Sequence, residues 1–235
     1  MSNRLFSIIA ILLIGLSFSS EAQTVVFEDK QVEPDTIRSN WGPNARHHMV
    51  GTFGFRWPVQ PSNDGAQIRY FVSAEVNIGL RYRRQWAPWF ATGLELNYAA
   101  DVYRLKQATG KVVPDTVLNN KEHLSFQSFQ AAAFMRFNLG KRGDRTGTFL
   151  DFGIFGDLYF ISKHKTKNKN NLGEREINVT RRLDYAPTAS YSAVARLGFG
   201  YFAFVTTFRM SDLLGDPDYN FPELPRWKFG IEWSY

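Results

Sequence analysis

An all-β, eight-stranded antiparallel transmembrane up-and-down β-barrel is the fold class this sequence predicts, and three observations predict it. Apolar residues recur with a period of two over stretches long enough to cross a bilayer. Eight such stretches can be counted along the chain. The links between them alternate between short and long, as turns on one side of a membrane and loops on the other do.

The first strand is expected over 49–57 and the second over 67–81. In the second, Ile68, Tyr70, Val72, Ala74, Val76, Ile78 and Leu80 share one face, with Gln67, Arg69, Ser73, Glu75, Asn77 and Arg81 on the other. Its fifteen residues far exceed the usual strand of about five or six and cover the roughly ten that cross a bilayer at a tilt. Tyr82 to Gln85 reads as a tight turn into a third strand over 86–101, where Phe90, Leu94, Leu96 and Tyr98 oppose Gly93, Glu95 and Asn97. Further strands are expected at 124–139, 148–161, 189–197, 201–210 and 227–235. The short links then fall at 82–85, 140–147 and 198–200, and the long ones at 58–66, 102–123, 162–188 and 211–226. A soluble lipocalin-type barrel also has eight strands, but it turns its apolar face inward. Here the charged face is small-sided and self-complementary, which suits a lumen.

With that face inward, the lumen receives Arg56, Arg69, Arg81, Arg136, Arg196, Arg209 and Lys228 against Glu75, Glu95, Asp151, Asp157 and Glu232. An eight-stranded barrel is just wide enough for side chains to fill, so these charges must pair or stay wet. If the turn after Leu139 is symmetric, Arg136 and Asp151 stand directly opposite one another. The same arithmetic sets Glu75 against Glu95 across the second hairpin, which needs an arginine such as Arg56 or Arg136 between them. Inward Phe71, Trp89, Phe134 and Phe155 would block a continuous wet path, which weakens the alternative of a narrow small-solute channel.

The N-terminus is expected to be a secretory signal peptide over 1–22. Met1 to Arg4 form a short basic region, 5–18 an apolar core, and Ser20-Glu21-Ala22 a small-x-small cleavage site. A periplasmic arm over 23–48 and the barrel over 49–235 complete the domain organisation. The chain has no cysteine, which excludes disulfides and thiolate metal sites. Aromatics make up 16% and mean hydropathy is −0.30, values of neither a helical membrane protein nor a disordered chain.

Two long loops differ in character. Residues 163–182 carry Lys163, Lys165, Lys167, Lys169 and Arg175 and read as a basic extracellular loop, able to meet lipopolysaccharide phosphates or an acidic partner. Nucleic acid is not an expected partner, because no aromatics interleave these cations. Residues 211–226 combine Leu213, Leu214, Tyr219, Phe221 and Leu224 with Pro217, Pro222 and Pro225, a stiff apolar loop suited either to capping the barrel mouth or to docking.

Catalysis has one weak foothold. His123 and Ser125 lie two apart on a strand and share its outward face, an arrangement that resembles the His-x-Ser of the lipid A 3-O-deacylase family. Phe126 stands where that family continues with asparagine, and Glu122 points to the other face. The chain is therefore expected not to be an enzyme, and no metal or other cofactor is implied.

The last run, WKFGIEWSY, places Trp227, Phe229, Ile231, Trp233 and Tyr235 on one face and Lys228, Gly230, Glu232 and Ser234 on the other. It resembles the closing strand of Gram-negative outer-membrane barrels, in which the terminal aromatic strand is the signal read by the insertion machinery. With the RMSDLL stretch leaving the seventh strand and PELPR entering the eighth, the chain resembles the small outer-membrane-protein β-barrel domain family of PorT-like and OmpX-like barrels. That family includes accessory barrels of the type IX secretion system. The resemblance implies an outer-membrane location, contact with outer-membrane lipid and lipopolysaccharide, and a role as an accessory or scaffold subunit of a larger outer-membrane assembly.

Overall fold

The alternating stretches form nine antiparallel strands in a computed structural model that describes residues 39–235 except 60–64, 141–145, 170–173 and 215–220. The expected signal peptide and most of the arm lie outside the described residues. The strands are β1 (His47–Pro58), β2 (Ala74–Ala87), β3 (Phe90–Arg104), β4 (Lys121–Asn138), β5 (Thr148–Lys169), β6 (Arg175–Arg181), β7 (Ala189–Phe199), β8 (Phe202–Arg209) and β9 (Trp227–Ser234). Each wall strand pairs with its neighbours, β4 pairs with β5, and β1 pairs with β9 from Thr52↔Ser234 to Pro58↔Lys228, so the sheet closes on itself. Eight strands make the wall of this transmembrane up-and-down barrel; among the described residues β6 bonds to β5 alone.

Polarity of the two faces fixes the surroundings of the wall. Phe53, Phe55, Ile78, Leu80, Leu94, Leu96, Phe129, Ile154, Leu158 and Phe204 point outward and are exposed. The closing strand follows the rule, with Trp227, Phe229, Ile231 and Trp233 outward and Lys228 and Glu232 buried inside. Aromatic side chains crowd both edges of the apolar band: Trp89 lies 5.4 Å from Phe90 and 6.3 Å from Phe137 at one edge, and Phe208 lies 4.8 Å from Trp227 at the other. Such girdles mark the two interfaces of a membrane barrel.

Two hairpins turn elsewhere than the sequence suggests. Tyr82 to Gln85 continue β2, and the chain reverses at Pro88-Trp89, where Ala87 faces Phe90. Upstream, the expected strand start at 67–73 is instead a single 3-10 turn at Tyr70–Val72, so β2 begins at Ala74. The β7–β8 corner is the pair Gly200-Tyr201, joining Phe199 to Phe202. Gly200 adopts φ +63°, the left-handed conformation that a two-residue hairpin loop demands and glycine adopts without strain.

At the long-loop end the connections fold into a core of their own. Ala66, Ile68, Leu105, Val113, Leu183, Leu213, Leu214 and Leu224 bury together with Tyr103, Leu124 and Phe126 of the wall, and Phe221 packs against them. Leu213, Leu214, Phe221 and Leu224 of the expected 211–226 loop are thus part of a cap over the mouth; residues 215–220, with Tyr219, lie outside the described residues.

Candidate functional site

Three layers of paired charges occupy the lumen, beside the buried Arg83, which donates to the Pro43 carbonyl at 2.5 Å. Nearest the cap, Glu75 accepts from Arg56 at 2.7 Å and from Lys228 at 2.8 Å, and Lys228 also reaches Asp101 at 2.6 Å. Asp157 beside them accepts from Ser128 and Ser190, each at 3.1 Å. Midway, Arg81 and Arg196 are held between Glu95 and Glu232: Arg81 lies 2.7 Å from Glu95 and 2.5 Å from Glu232, and Arg196 lies 2.9 Å and 3.3 Å from them. Nearest the short turns, Arg136 donates to both oxygens of Asp151 at 2.7 Å. Every one of these charged side chains is at least nine-tenths buried.

Phe134 sets the spacing of the two lower layers. Its ring lies 5.6 Å from the Arg81 guanidinium, 5.7 Å from that of Arg136 and 6.0 Å from that of Arg196. It has room because Gly93 stands beside it on β3, where a Cβ would meet the ring. Phe149 similarly takes the Arg136 guanidinium at 3.4 Å. An aromatic face attracts a guanidinium that has left water, so the rings can occupy the space between the ion pairs.

Four expectations about the interior are corrected. Arg69 is exposed and precedes β2, so it takes no part in the lumen network. Glu75 faces Asp101, and Glu95 faces Arg81, because the hairpin turns at Pro88-Trp89; the carboxylate that Glu75 meets is therefore Asp101 and not Glu95, and Lys228 bridges the two. Arg209 is buried, but it serves the cap, donating to Glu223 at 2.5 Å and to the Leu224 carbonyl at 3.1 Å. Phe71 and Trp89 are exposed at 98% and 61%, so of the four expected inward aromatics only Phe134 and Phe155 point into the lumen. Asp101 and Lys228 stand on the non-adjacent strands β3 and β9, and closure of the barrel brings them together.

The basic segment is a strand and not a loop. β5 runs on to Lys169 and pairs with β4 on one side and β6 on the other, forming a sheet that projects beyond the apolar band. Lys163, Lys165, Lys167 and Lys169 alternate onto its outer face, where Lys167 stands opposite Lys121 and Lys165 opposite His123. Arg175 and Arg181 of β6 continue that face. Its inner face is tied to the cap by Glu122, which accepts from Lys111 at 2.5 Å and Gln107 at 2.8 Å and meets His164 at 2.7 Å. Burial would raise the Glu122 carboxyl, but hydrogen bonds from His164, Lys111 and Gln107 prevail and hold it below the usual glutamate range. Sequence reasoning missed this node, since Lys111 arrives from a loop with no local pattern.

His123 and Ser125 do share the outward face; Arg104 and Lys165 flank His123 across the strands, and Val102 and Lys163 flank Ser125. The adjacent Glu122 is turned inward and engaged by Lys111 and His164.

Fold and interior together define a transmembrane β-barrel whose lumen is occupied by its own ion pairs and whose mouth is covered by its own loops. No protein-family model matches the chain, and no curated protein matches it. Among solved structures the chain is similar to Ail, the attachment invasion locus protein of Yersinia pestis, in its crystal structure with the heparin analogue sucrose octasulfate. Identity is 12%, the likeness covers 80% of this chain and 97% of that one, and the TM-score is 0.35.

Proposed function

We propose that this chain is a non-enzymatic barrel of the Gram-negative outer membrane that acts as a scaffold or accessory subunit, docking onto a larger outer-membrane assembly. The observation that carries the reading is β6. Among the described residues it is bonded to β5 along one edge only, its residues are exposed throughout, and it presents Ile177 and Val179 at 50% and 46% exposure. An unprotected, β-branched edge strand offers a row of backbone donors and acceptors to another chain, and strand addition is a general mode of docking. The filled lumen and covered mouth support the same reading, since they leave the outer surface as what the molecule offers. Against catalysis stands the environment of His123, which has cations beside it and no carboxylate to orient it among the described residues of that face. Outer-membrane lipid, lipopolysaccharide and, during assembly, the insertion machinery that reads the aromatic closing strand are the further partners in this account.

The test is mild-detergent purification from native membranes with an affinity tag in the 215–220 loop. A stoichiometric companion protein that is lost in the Ile177→Lys/Val179→Lys variant is the expected result. A lone barrel, or a companion retained by that variant, contradicts docking through β6.

A further inference from the structure

The long-loop end of the wall carries a groove of about 770 Å³ between the 3-10 turn at Tyr70–Val72 and the tops of β3, β4 and β5. Its lining includes Arg69, Arg104, Lys121 and Lys167, the exposed Phe71 and Val72, and Glu122, whose carboxylate is already engaged by Lys111 and His164. Phe71 is 98% exposed. It lies just above the pair Ala74↔Val102, with which the apolar band ends on this side.

Within the lumen Arg56, Arg81, Arg136, Arg196 and Lys228 each have a carboxylate within 4 Å. On the rim of the groove, none of the four cations has such a partner among the described residues. Cations directly opposite one another on neighbouring strands repel, and Lys121↔Lys167 is such a pair, flanked by His123↔Lys165. Burial, and after it the nearby Lys165, Arg104 and Lys167, hold His123 below the usual histidine range. A face of this kind is satisfied by an anion from outside the chain. Its position at the membrane edge, with an exposed phenylalanine continuing the apolar band, requires that anion to be joined to something apolar.

We infer that this groove seats the headgroup phosphate of an outer-leaflet lipid, with Arg69, Arg104, Lys121 and Lys167 around the phosphate and Phe71 against the acyl chains. The inference rests on the membrane placement above but not on docking through β6.

It is tested with the full mature protein in phosphatidylcholine nanodiscs doped with bisphosphorylated lipid A, the retained lipid being read by native mass spectrometry. Lipid A is expected to be retained by the native chain. Retention should fall about tenfold or more in Arg104→Gln/Lys121→Gln/Lys167→Gln, as loss of three cations near a lipid surface predicts, and Phe71→Ser should weaken it alone. All four side chains are on the surface, so heat-modifiable gel mobility should show folded barrels throughout. Equal retention by the native and triple-variant chains would overturn the inference, as would displacement of lipid A by inorganic phosphate at matched phosphate concentration, which marks solvated cations only. A chain that failed to insert into the discs would overturn the membrane placement as well, whereas an inserted chain without lipid preference overturns this inference alone.

Discussion

Arg136 and Asp151 face each other across β4 and β5 and exchange two hydrogen bonds of 2.7 Å, with the Arg136 guanidinium lying on the ring of Phe149. Both side chains are at most 5% exposed. The pair therefore joins register, ion pairing and aromatic packing in one contact at the short-turn end of the lumen.

Removing one partner should cost far more than removing both. Asp151→Ala leaves a buried guanidinium without its carboxylate, a loss of about 3–5 kcal/mol. In Arg136→Met/Asp151→Leu no buried charge remains, and the cost should be small, since well-packed apolar replacements of buried ion pairs are often neutral. Urea midpoints in lipid vesicles, read by heat-modifiable gel mobility, separate the two variants.

Glu95 and Glu232 both touch Arg81 and Arg196, yet they are not equivalent. Glu95 accepts aligned hydrogen bonds from both arginines and from Asn97, whereas the Glu232 oxygens make ion contacts without an aligned hydrogen bond. Hydrogen bonds to charged groups contribute about 1.5–3 kcal/mol each. Glu95→Gln should accordingly lower the unfolding midpoint more than Glu232→Gln, and the same denaturation series measures the difference.

The cap should loosen in acid through Glu122. Its carboxyl sits below the ordinary glutamate value of 4.5 in the folded chain. Its contribution is therefore fully present above pH 4.5 and fades as the pH falls through the lower folded-state value. Lys111, His164 and, through Lys111, Asp115 are the charged groups around it. Hydrogen exchange over 105–120 should accelerate in that acid window, and Glu122→Gln should already exchange fast at neutral pH, with a flatter pH dependence. Unchanged protection across the window would remove Glu122 from this role.

Wall strands were legible in the sequence because period-two alternation of apolar residues is what a bilayer on one side and a polar lumen on the other impose. The Arg136–Asp151 pair was legible because the strand ends on either side of 140–147 fix its register. Glu75 was misassigned because Tyr82 to Gln85 is a polar run that looks like a turn, while the true reversal at Pro88-Trp89 lies among aromatics that belong to the membrane girdle. Lys163 to Lys169 read as a loop because charge density suggested solvent. The alternation of Lys with His, Thr and Asn was nonetheless a strand pattern, with water in place of lipid on the outer face. Contacts such as Lys228–Asp101 and Lys111–Glu122 join residues remote in sequence, and only closure of the barrel and folding of the cap bring them together.

Planar-bilayer recording of the purified, refolded chain asks whether its own side chains fill the barrel. A silent membrane, with no steady unitary current at neutral pH, is the expected result. A stable open-channel conductance in the native chain would contradict it and make the charged interior a conduction path.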